Sequence, residues 1–518
     1  MKTAYYNGFI YNEDKSYSTL MIVDDNVIDY IGNDSSRMEN IEAKTDLCGQ
    51  YVFPGFNDSH MHFLGLGYNK TITNLSKAKN IDEIISTLQI NKDDFIVGRG
   101  WNQENLKEKR MPTKEELDLV STDKPIIIIR VCGHVAVCNS KTLEIANISQ
   151  DSKQIEGGTF DFESGLFTED ALQVIYSQIP SVNQDQLKRM FKMAEKDLLA
   201  NGVTSIQSDD FSTLQVDFED VMDVLNNLYQ NQELEIRLSE QVNLPTMENL
   251  TRYLNSNKRN KVSHLFDYGI LKLLADGSLG GRTAYLRAPY SDDLSTSGVP
   301  IFTQEQLDML ILNAHKNGLD VGIHSIGDAT CEMILSAIEK ALSQYPREHR
   351  HGIIHAQIID KVLIQRLKAL GVGVYVQPIF LNSDNNIVES RLGKRAQESY
   401  LFKTMYQEGI ITSLGTDAPV ETFNPFHNLY CAVTRKSIDG PNYDAFLPEE
   451  GMTIHEAIEC YTLHSALMMK KENLGILKQN YLADFIVVNN DIINNVATLL
   501  EAKVLSTYVN GKCVYKEK

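Results

Sequence analysis

Eight short apolar runs that alternate with amphipathic segments predict an α/β fold, a (β/α)8 barrel, as the main body of this 518-residue chain. Two further observations complete the prediction. The stretch from about residue 66 to 180 is far longer than a crossover helix needs, which indicates a large insertion after the first barrel strand. Strand-like runs at the two termini are too short to bury a sheet separately, so we expect both ends to form one small composite β-sandwich domain.

The terminal runs have the alternation and turns that are typical of hairpins. Asn7-Gly8 and Asn510-Gly511 are two-residue turns between such runs. We therefore assign residues 1–54 and 466–518 to the composite domain, residues 55–465 to the barrel, and residues 66–180 to an inserted lobe.

The barrel strands are predicted from runs of four to eight mostly apolar residues, the pattern of buried parallel strands. Stretches such as DQLKRMFKMAEKDLLANG and EQLDMLILNAHKNG supply helices between them. In chain order, the eight strand runs are YVFPGFNDSHMH, GVTSIQS, EIRLSEQV, GILKLLADG, DVGIHSIGD, HGIIHAQ, VGVYVQP and IITSLGTDAP.

Composition argues against nucleic-acid and membrane partners. The 69 acidic and 49 basic residues give a formal net charge of -20, which repels phosphate backbones and anionic lipids. Seven cysteines without C-x-x-C spacing suit reduced thiols, and no segment resembles a signal peptide or a membrane span. We expect a cytoplasmic protein acting on a small molecule, and whether it is a monomer or a homodimer stays open.

Two histidines and a lysine are the first candidates for metal chemistry. His60 and His62 lie two residues apart in a predicted strand, so their side chains share one face. Lys272 interrupts the apolar run YGILKLLADG, where an ammonium group would be desolvated. Lys272 could snorkel or form a salt bridge, which is the ordinary explanation. Alternatively, its neutral amine reacts with CO2 to give a carbamate that bridges two metal ions.

Three further residues end predicted strands, the place where barrel enzymes hold their working side chains. His324 and His355 each end a strand, and Asp417 follows the last one. Singly, each histidine could be a core residue, and Asp417 could be a turn former. Together, the imidazoles favour zinc, iron or manganese over calcium or magnesium.

The order H-x-H, Lys, His, His, Asp on successive strands resembles the amidohydrolase superfamily. The stretches GWNQ (100–103), GHVAVCNS (133–140), LADGSLGGRT (274–283) and TDAPVE (416–421) are similar to its family 3 branch, which includes N-substituted formamide deformylase and uncharacterised relatives. The resemblance covers nearly the whole chain. It implies a metal-dependent barrel with a composite β domain, in agreement with the fold predicted from the residues.

The resemblance also implies roles for individual residues. It places one or two divalent ions, with zinc preferred, on six ligands: His60, His62 and Asp417 at the first metal, His324 and His355 at the second, and carboxylated Lys272 as the bridge. Asp417, Lys272, His324 and His355 are counted as catalytic. Five residues are implied to bind substrate: Trp101, His134, Asp276, Arg282 and Gln377. For His134, a structural hydrogen bond within the inserted lobe is an equal alternative.

This ligand set predicts hydrolysis of a carbon–nitrogen bond, of amide or formamide type. Metal-activated hydroxide would attack the carbonyl carbon, and Asp417 would act as general acid and base. One alternative is a deaminase with a single metal, although such enzymes favour a Glu shortly after the strand-five histidine, where this chain has Asp328. An ester or lactone hydrolase is another alternative, and a non-catalytic metabolite-binding barrel is a third.

Overall fold

A computed structural model describes residues 2–130, 133, 135–155, 158–169, 171–438 and 444–517. These residues form two compact units, one made of residues 1–65 with 194–518 and the other of residues 66–193. No helix within the described ranges is both long and apolar enough to cross a membrane.

The larger unit contains the predicted barrel. Eight strands pair in parallel, each with its neighbour in the chain, and nearly every residue in them is buried, as the apolar runs predicted. We number them β1 (Phe56–Met61), β2 (Val203–Ser208), β3 (Arg237–Asn243), β4 (Phe266–Leu274), β5 (Asp320–Ser325), β6 (Gly352–His355), β7 (Gly373–Val376) and β8 (Thr412–Leu414).

The barrel is closed just beyond β1 and β8. The backbone nitrogen of Asp417 donates to the carbonyl oxygen of His60 at 2.8 Å, and that of His62 donates to Ala418 at 2.7 Å. Three residues predicted as metal ligands therefore lie at the seam where the first and last strands meet. All eight predicted barrel strands are confirmed.

Helices alternate with these strands, and their ends follow local sequence signals. Thr303 and Gln306 form a capping box at the start of one helix, and Gly371 ends another in the left-handed conformation. The helices are Gln184–Ala200, Phe218–Gln230, Met247–Asn255, Gln304–Lys316, Asp328–Gln344, Lys361–Leu370, Leu381–Asp384, Val388–Leu392, Phe402–Gln407, Pro425–Thr434, Ile454–Glu459 and Ser465–Met468.

The last of these helices contributes to the core inside the barrel. Met468 packs against Ile270, Ile354 and Tyr375, which come from β4, β6 and β7. This apolar layer lies nearer the amino ends of the strands than the polar site described next, so that the site packs against an apolar core inside the barrel.

Both termini contribute to one eight-stranded sheet. The C-terminal strand Phe485–Val488 pairs antiparallel with Tyr51–Pro54, which joins the two ends of the chain. Tyr5 and Tyr508 lie three strands apart in the sheet, yet their ring centroids are only 5.4 Å apart, so the sheet folds over its own core. The other strands are Lys2–Tyr11, Tyr17–Asp24, Val27–Gly32, Ala43–Asp46, Val504–Val509 and Lys512–Lys516.

A buried ion pair fastens this sheet to the barrel. Arg237, at the start of β3, donates from Nε to Asp484 at 2.6 Å, and both side chains are at most 5% exposed. The pair joins the amino end of the barrel to the composite domain, on the opposite side from the predicted ligands.

The smaller unit has its own six-stranded sheet and apolar core. Its strands are Thr73–Asn74, Ile96–Trp101, Ile126–Arg130, Val135–Cys138, Gly158–Asp161 and Leu166–Glu169. Helices Ile81–Ile90, Lys114–Asp118, Ser140–Ile145 and Leu172–Tyr176 accompany it, and helix Phe63–Asn69 leads the chain into it.

Candidate metal centre

The six side chains predicted as metal ligands come together at the carboxyl ends of the barrel strands. Nζ of Lys272 lies 3.0 Å from Nε2 of His60. Oδ1 of Asp417 lies 3.4 Å from Nε2 of His60 and 3.1 Å from Nε2 of His62. Nε2 of His355 lies 2.9 Å from Nδ1 of His324. Potential ligand atoms of His60, His355 and Asp417 all lie within 4.8 Å of one another.

Two glutamines fix the proton positions on two of the histidines. Nδ1 of His60 donates to Oε1 of Gln241 at 2.7 Å, and the amide of Gln241 is oriented because its nitrogen donates to Ser59 O at 3.0 Å. His355 repeats the arrangement with Gln377, which it contacts at 2.7 Å. Nε2 of both rings is therefore unprotonated in the neutral form.

Backbone carbonyls fix the proton positions on the other two histidines, His62 and His324. Nδ1 of His62 donates to the carbonyl of Asp209 at 2.9 Å. Nε2 of His324 donates to the carbonyl of Gly277 at 3.1 Å. Since a carbonyl only accepts, Nε2 of His62 and Nδ1 of His324 carry the lone pairs when these rings are neutral.

These lone pairs fit a cation. With the protons placed as above, Nδ1 of His324 and Nε2 of His355 point lone pairs at each other across 2.9 Å, which is repulsive unless a positive charge lies between or beside them. Oδ1 of Asp417 is buried and accepts no well-formed hydrogen bond from the described residues. A site with these properties suits a divalent metal better than it suits protein partners alone.

Electrostatics favour the protonation states that metal binding requires. Burial, together with the neighbouring charge of Lys272, holds the pKa of His60 well below its usual range. Burial likewise lowers the pKa of His355 far below normal. Burial raises the pKa of Asp417, but the neighbouring imidazoles outweigh it and keep the pKa below the usual range. The carboxylate is ionised and these two rings are neutral. His62 differs, because burial lowers its pKa but the neighbouring carboxylate of Asp417 outweighs burial and raises the pKa of His62 to about 9, so a metal ion would have to displace one proton from this ring.

Lys272 is a buried amine with weak charge compensation. It is 1% exposed, so it does not snorkel to solvent. Asp209 is the carboxylate with which it pairs, at 3.9 Å from Nζ, the outer limit of an ion pair. Burial lowers the pKa of Lys272. A lysine in this state is closer to the neutral amine that reacts with CO2.

Two of the predicted ligands have strained backbones. His355 and Asp417 have φ of 76° and 57°, and Ala356 follows His355 with φ of 45°. Left-handed conformations cost non-glycine residues about 1–2 kcal/mol each and concentrate at functional sites. The surrounding hydrogen bonds, such as that from Asp417 N to His60 O, hold these conformations in place.

The other predicted site residues are placed differently. Gln377 orients His355, as described. Trp101 is 1% exposed within the core of the smaller unit. Arg282 pairs with Asp292 at 3.0 Å, and Asp276 is buried beside His324, with Oδ1 3.3 Å from Nε2. His134 lies outside the described residues. Their contact with substrate stays a prediction.

Sequence reasoning missed several residues that support the site. Asp58 and Asp209 are buried, and Gln241 orients His60. Their position in the sequence could have identified them as candidates. They are polar residues inside or directly after otherwise apolar barrel strands, as in EIRLSEQV and GVTSIQSDD. Such residues need polar partners, which predicts a polar cluster at the strand ends without saying which partner each one takes.

Comparisons with known proteins agree with this geometry. The model of a family described as "Amidohydrolase family" matches residues 45–515. The chain is 32% identical to the putative amidohydrolase YtcJ of Bacillus subtilis, over all of both chains. It is 22% identical to the N-substituted formamide deformylase of Arthrobacter pascens, over 91% of this chain and 89% of that one. The crystal structure of an uncharacterized metal-dependent hydrolase from Pyrococcus furiosus superposes with a TM-score of 0.81 at 28% identity, covering 95% of this chain and all of the other.

Proposed function

The chain belongs to the amidohydrolase family, and from that premise we propose that it is a zinc-dependent hydrolase of a carbon–nitrogen bond in a small amide or formamide. The observation that carries the proposal is the protonation pattern of the four histidines. Each neutral ring donates its proton to an oxygen outside the cluster, which leaves its other nitrogen available to a metal; at His62, whose pKa Asp417 raises to about 9, metal binding would first displace a second proton. Hydrolases with such sites use the metal to activate water.

The predicted ligands fit two neighbouring metal positions, which we call the two halves of the centre. His60, His62 and Asp417 would hold the first ion, and His324 with His355 would hold the second. Lys272 would join them after its amine attacks CO2, which forms an N–C bond, gives a carbamate and releases one proton. When bound, the ions would lower the pKa of a water molecule toward 7 and polarise the carbonyl of the substrate.

Asp417 is the proposed general base and acid. Its Oδ1 lies 3.1 Å from Nε2 of His62, and its pKa below the usual range keeps it ionised, so it is a carboxylate that could accept the proton of the attacking water. It would then return that proton to the leaving nitrogen. The side chain of His62 beside it is 28% exposed, which opens this part of the site to solvent and to substrate.

The geometry gives less support to deamination. Asp328, which stands near the position where deaminases favour Glu, starts helix Asp328–Gln344 and accepts from the backbone of Arg287 at 3.0 Å. The hydrogen bonds of this carboxylate thus go to backbone nitrogens, those of Arg287 and Ala329. The similarity of this chain to N-substituted formamide deformylase supports an amide-type substrate.

A substrate panel tests the proposal directly. Zinc-loaded protein is assayed against N-substituted formamides, linear amides, cyclic imides, lactones, esters and aromatic amidines, with Asp417→Asn as the matched variant. We expect release of amine from a formamide or amide, reduced at least about 100-fold in the variant. Turnover of esters or lactones alone, or activity that Asp417→Asn leaves intact, would overturn it.

We also propose that the enzyme works in the cytoplasm. Six of the seven cysteines lie within the described residues, and all six are free thiols there, as a reducing compartment would keep them. Fractionation of the native cells tests this: recovery in a secreted or periplasmic fraction would contradict it.

A further inference from the structure

Asp276 joins the two strands that carry Lys272 and His324. It follows the end of β4 and is 1% exposed. Its carboxylate accepts from the backbone nitrogens of Ile326 at 3.1 Å and Gly327 at 2.8 Å, both just after β5. It also accepts from Tyr285 N at 3.0 Å, in the long loop after β4, and from the hydroxyl of Thr330 at 3.0 Å.

The same carboxylate faces the ring of His324. Its Oδ1 lies 3.3 Å from Nε2, the nitrogen that also donates to the carbonyl of Gly277. Both neighbours of Nε2 are acceptors, so the proton stays there and Nδ1 remains free. Nδ1 in turn faces His355 at 2.9 Å, at the proposed second metal position.

Asp276 has no acceptor capacity left for a substrate. Two carboxylate oxygens offer about four lone-pair positions, and the four hydrogen bonds already described fill them, with the His324 ring adjacent. The packing is tight as well, because a side chain on Gly327 would meet the carbonyl oxygen of Tyr285 at 1.9 Å. These contacts argue for a supporting role and against the substrate contact that the family resemblance implied.

We propose that Asp276 is a positioning residue that holds His324 with Nδ1 aimed at the second metal. This inference rests on the proposed binuclear function. Asp58 supports the first half through the backbone: it accepts from His60 N, from Thr416 and from the hydroxyl of Tyr461. Each half of the centre thus has its own buried carboxylate that is not itself a ligand.

Two isosteric variants test the proposed first and second metal positions separately. Asp276→Asn is expected to weaken the second zinc by about 10- to 100-fold while the first zinc binds as in wild type. Asp58→Asn is expected to show the reverse. Asp292→Asn is the control, because Asp292 lies in the same loop as Tyr285 but binds Arg282 and Arg391. Stepwise zinc titration against a chromophoric chelator measures both affinities.

The retained first zinc shows that Asp276→Asn is folded. Equal zinc affinities in Asp276→Asn and wild type would overturn the inference. If Asp276→Asn does not fold, Thr330→Val removes one donor, and a weaker second site supports the inference, whereas unchanged affinity overturns it. A crystal structure of metal-free Asp276→Asn distinguishes failure of this inference from failure of the proposed function. If wild type binds no zinc, the proposed function fails. The orientation of the His324 ring in the variant, compared with wild type, then tests this inference without metal. A rotated ring supports it, and an unchanged ring overturns it.

Discussion

The carboxylate of Asp58 accepts hydrogen bonds from both the amide and the hydroxyl of Thr416, at 3.1 and 2.7 Å. Asp58 precedes His60 by two residues, and Thr416 precedes Asp417. A buried pair of non-ligands therefore sets the distance between two predicted ligands that lie on opposite sides of the barrel seam. Precision at the site depends on the residues that close the barrel.

Removing the hydroxyl of Thr416 should loosen this seam. In Thr416→Val we expect the free energy of unfolding to fall by about 1–3 kcal/mol, because Asp58 loses a donor in a buried position. Zinc affinity at the first half should fall as well. Thr412→Val is the matched control, since its hydroxyl donates to the carbonyl of Ile410, just before β8. A similar loss of zinc affinity in both variants would show that the contact between Thr416 and Asp58 is not the cause.

Gln241 should control the proton on His60. Gln241→Leu removes the acceptor at Nδ1, so the ring is free to carry its proton on the metal-facing nitrogen, and zinc affinity should fall about 10- to 100-fold. Gln241→Glu retains an acceptor and should restore part of the affinity. Gln207→Leu is the control, because Gln207 donates to the carbonyl of Ser465 instead. Equal affinities in the Leu and Glu variants at position 241 would contradict the tautomer argument.

The ion pair between Arg237 and Asp484 should be a major link between barrel and composite domain. Asp484→Ala leaves a buried guanidinium without its partner, which costs about 3–5 kcal/mol of unfolding free energy. Urea denaturation measures the loss. Glu13→Ala removes the exposed partner of Lys478 and should leave the midpoint unchanged. A shift of similar size in both variants would mean that burial of the pair is irrelevant.

A histidine pair at the amino end of the barrel should make the metal-free protein acid-sensitive. Val321 N donates to Nδ1 of His351, and Nε2 of His351 lies 2.9 Å from Nδ1 of His315, so the ring has no place for a second proton. Burial lowers the pKa of His351 to about 2 from an ordinary 6.5. Below pH 6.5 the unfolded chain gains a proton that the folded chain refuses.

Stability should therefore be complete above pH 6.5 and decline below it, by about 1.4 kcal/mol per pH unit for this group. Urea denaturation between pH 8 and 5, in chelator, follows the decline. His351→Gln keeps an acceptor for Val321 and removes the titrating group, so its decline should be shallower. Parallel curves for the variant and the wild type would exclude His351 as a cause.

The fold was largely predictable because short, mostly apolar runs that alternate with longer amphipathic segments are the pattern of parallel strands joined by helices. The strand ends then located His60, Lys272, His324 and Asp417 together, since barrel topology brings successive carboxyl ends to one face. Gln241 could not be assigned in this way. Its partner lies 181 positions away in sequence, and a polar residue in a buried strand does not specify what it binds.

The role of Asp276 shows a second limit of sequence reasoning. Family resemblance implied a substrate contact for this residue, and the proposal that it supports His324 instead rests on the four hydrogen bonds its carboxylate accepts in the folded chain. Trp101 shows a third limit, because an aromatic residue has the same sequence signature in a core and in a pocket; it is buried in the core of the smaller unit, and its contact with substrate stays a prediction. Burial and hydrogen-bond partners are properties of the folded chain.

The state of Lys272 is the central claim, and metal content tests it most directly. Protein purified without chelator is analysed by elemental mass spectrometry for wild type, Lys272→Ala and the control Lys471→Ala, whose ammonium group pairs with Asp267 at the other end of the barrel. We predict about two equivalents of zinc in wild type and in Lys471→Ala, and a sharp fall in Lys272→Ala. One equivalent or less in wild type, unchanged by Lys272→Ala, would make the lysine structural and contradict the bridged centre.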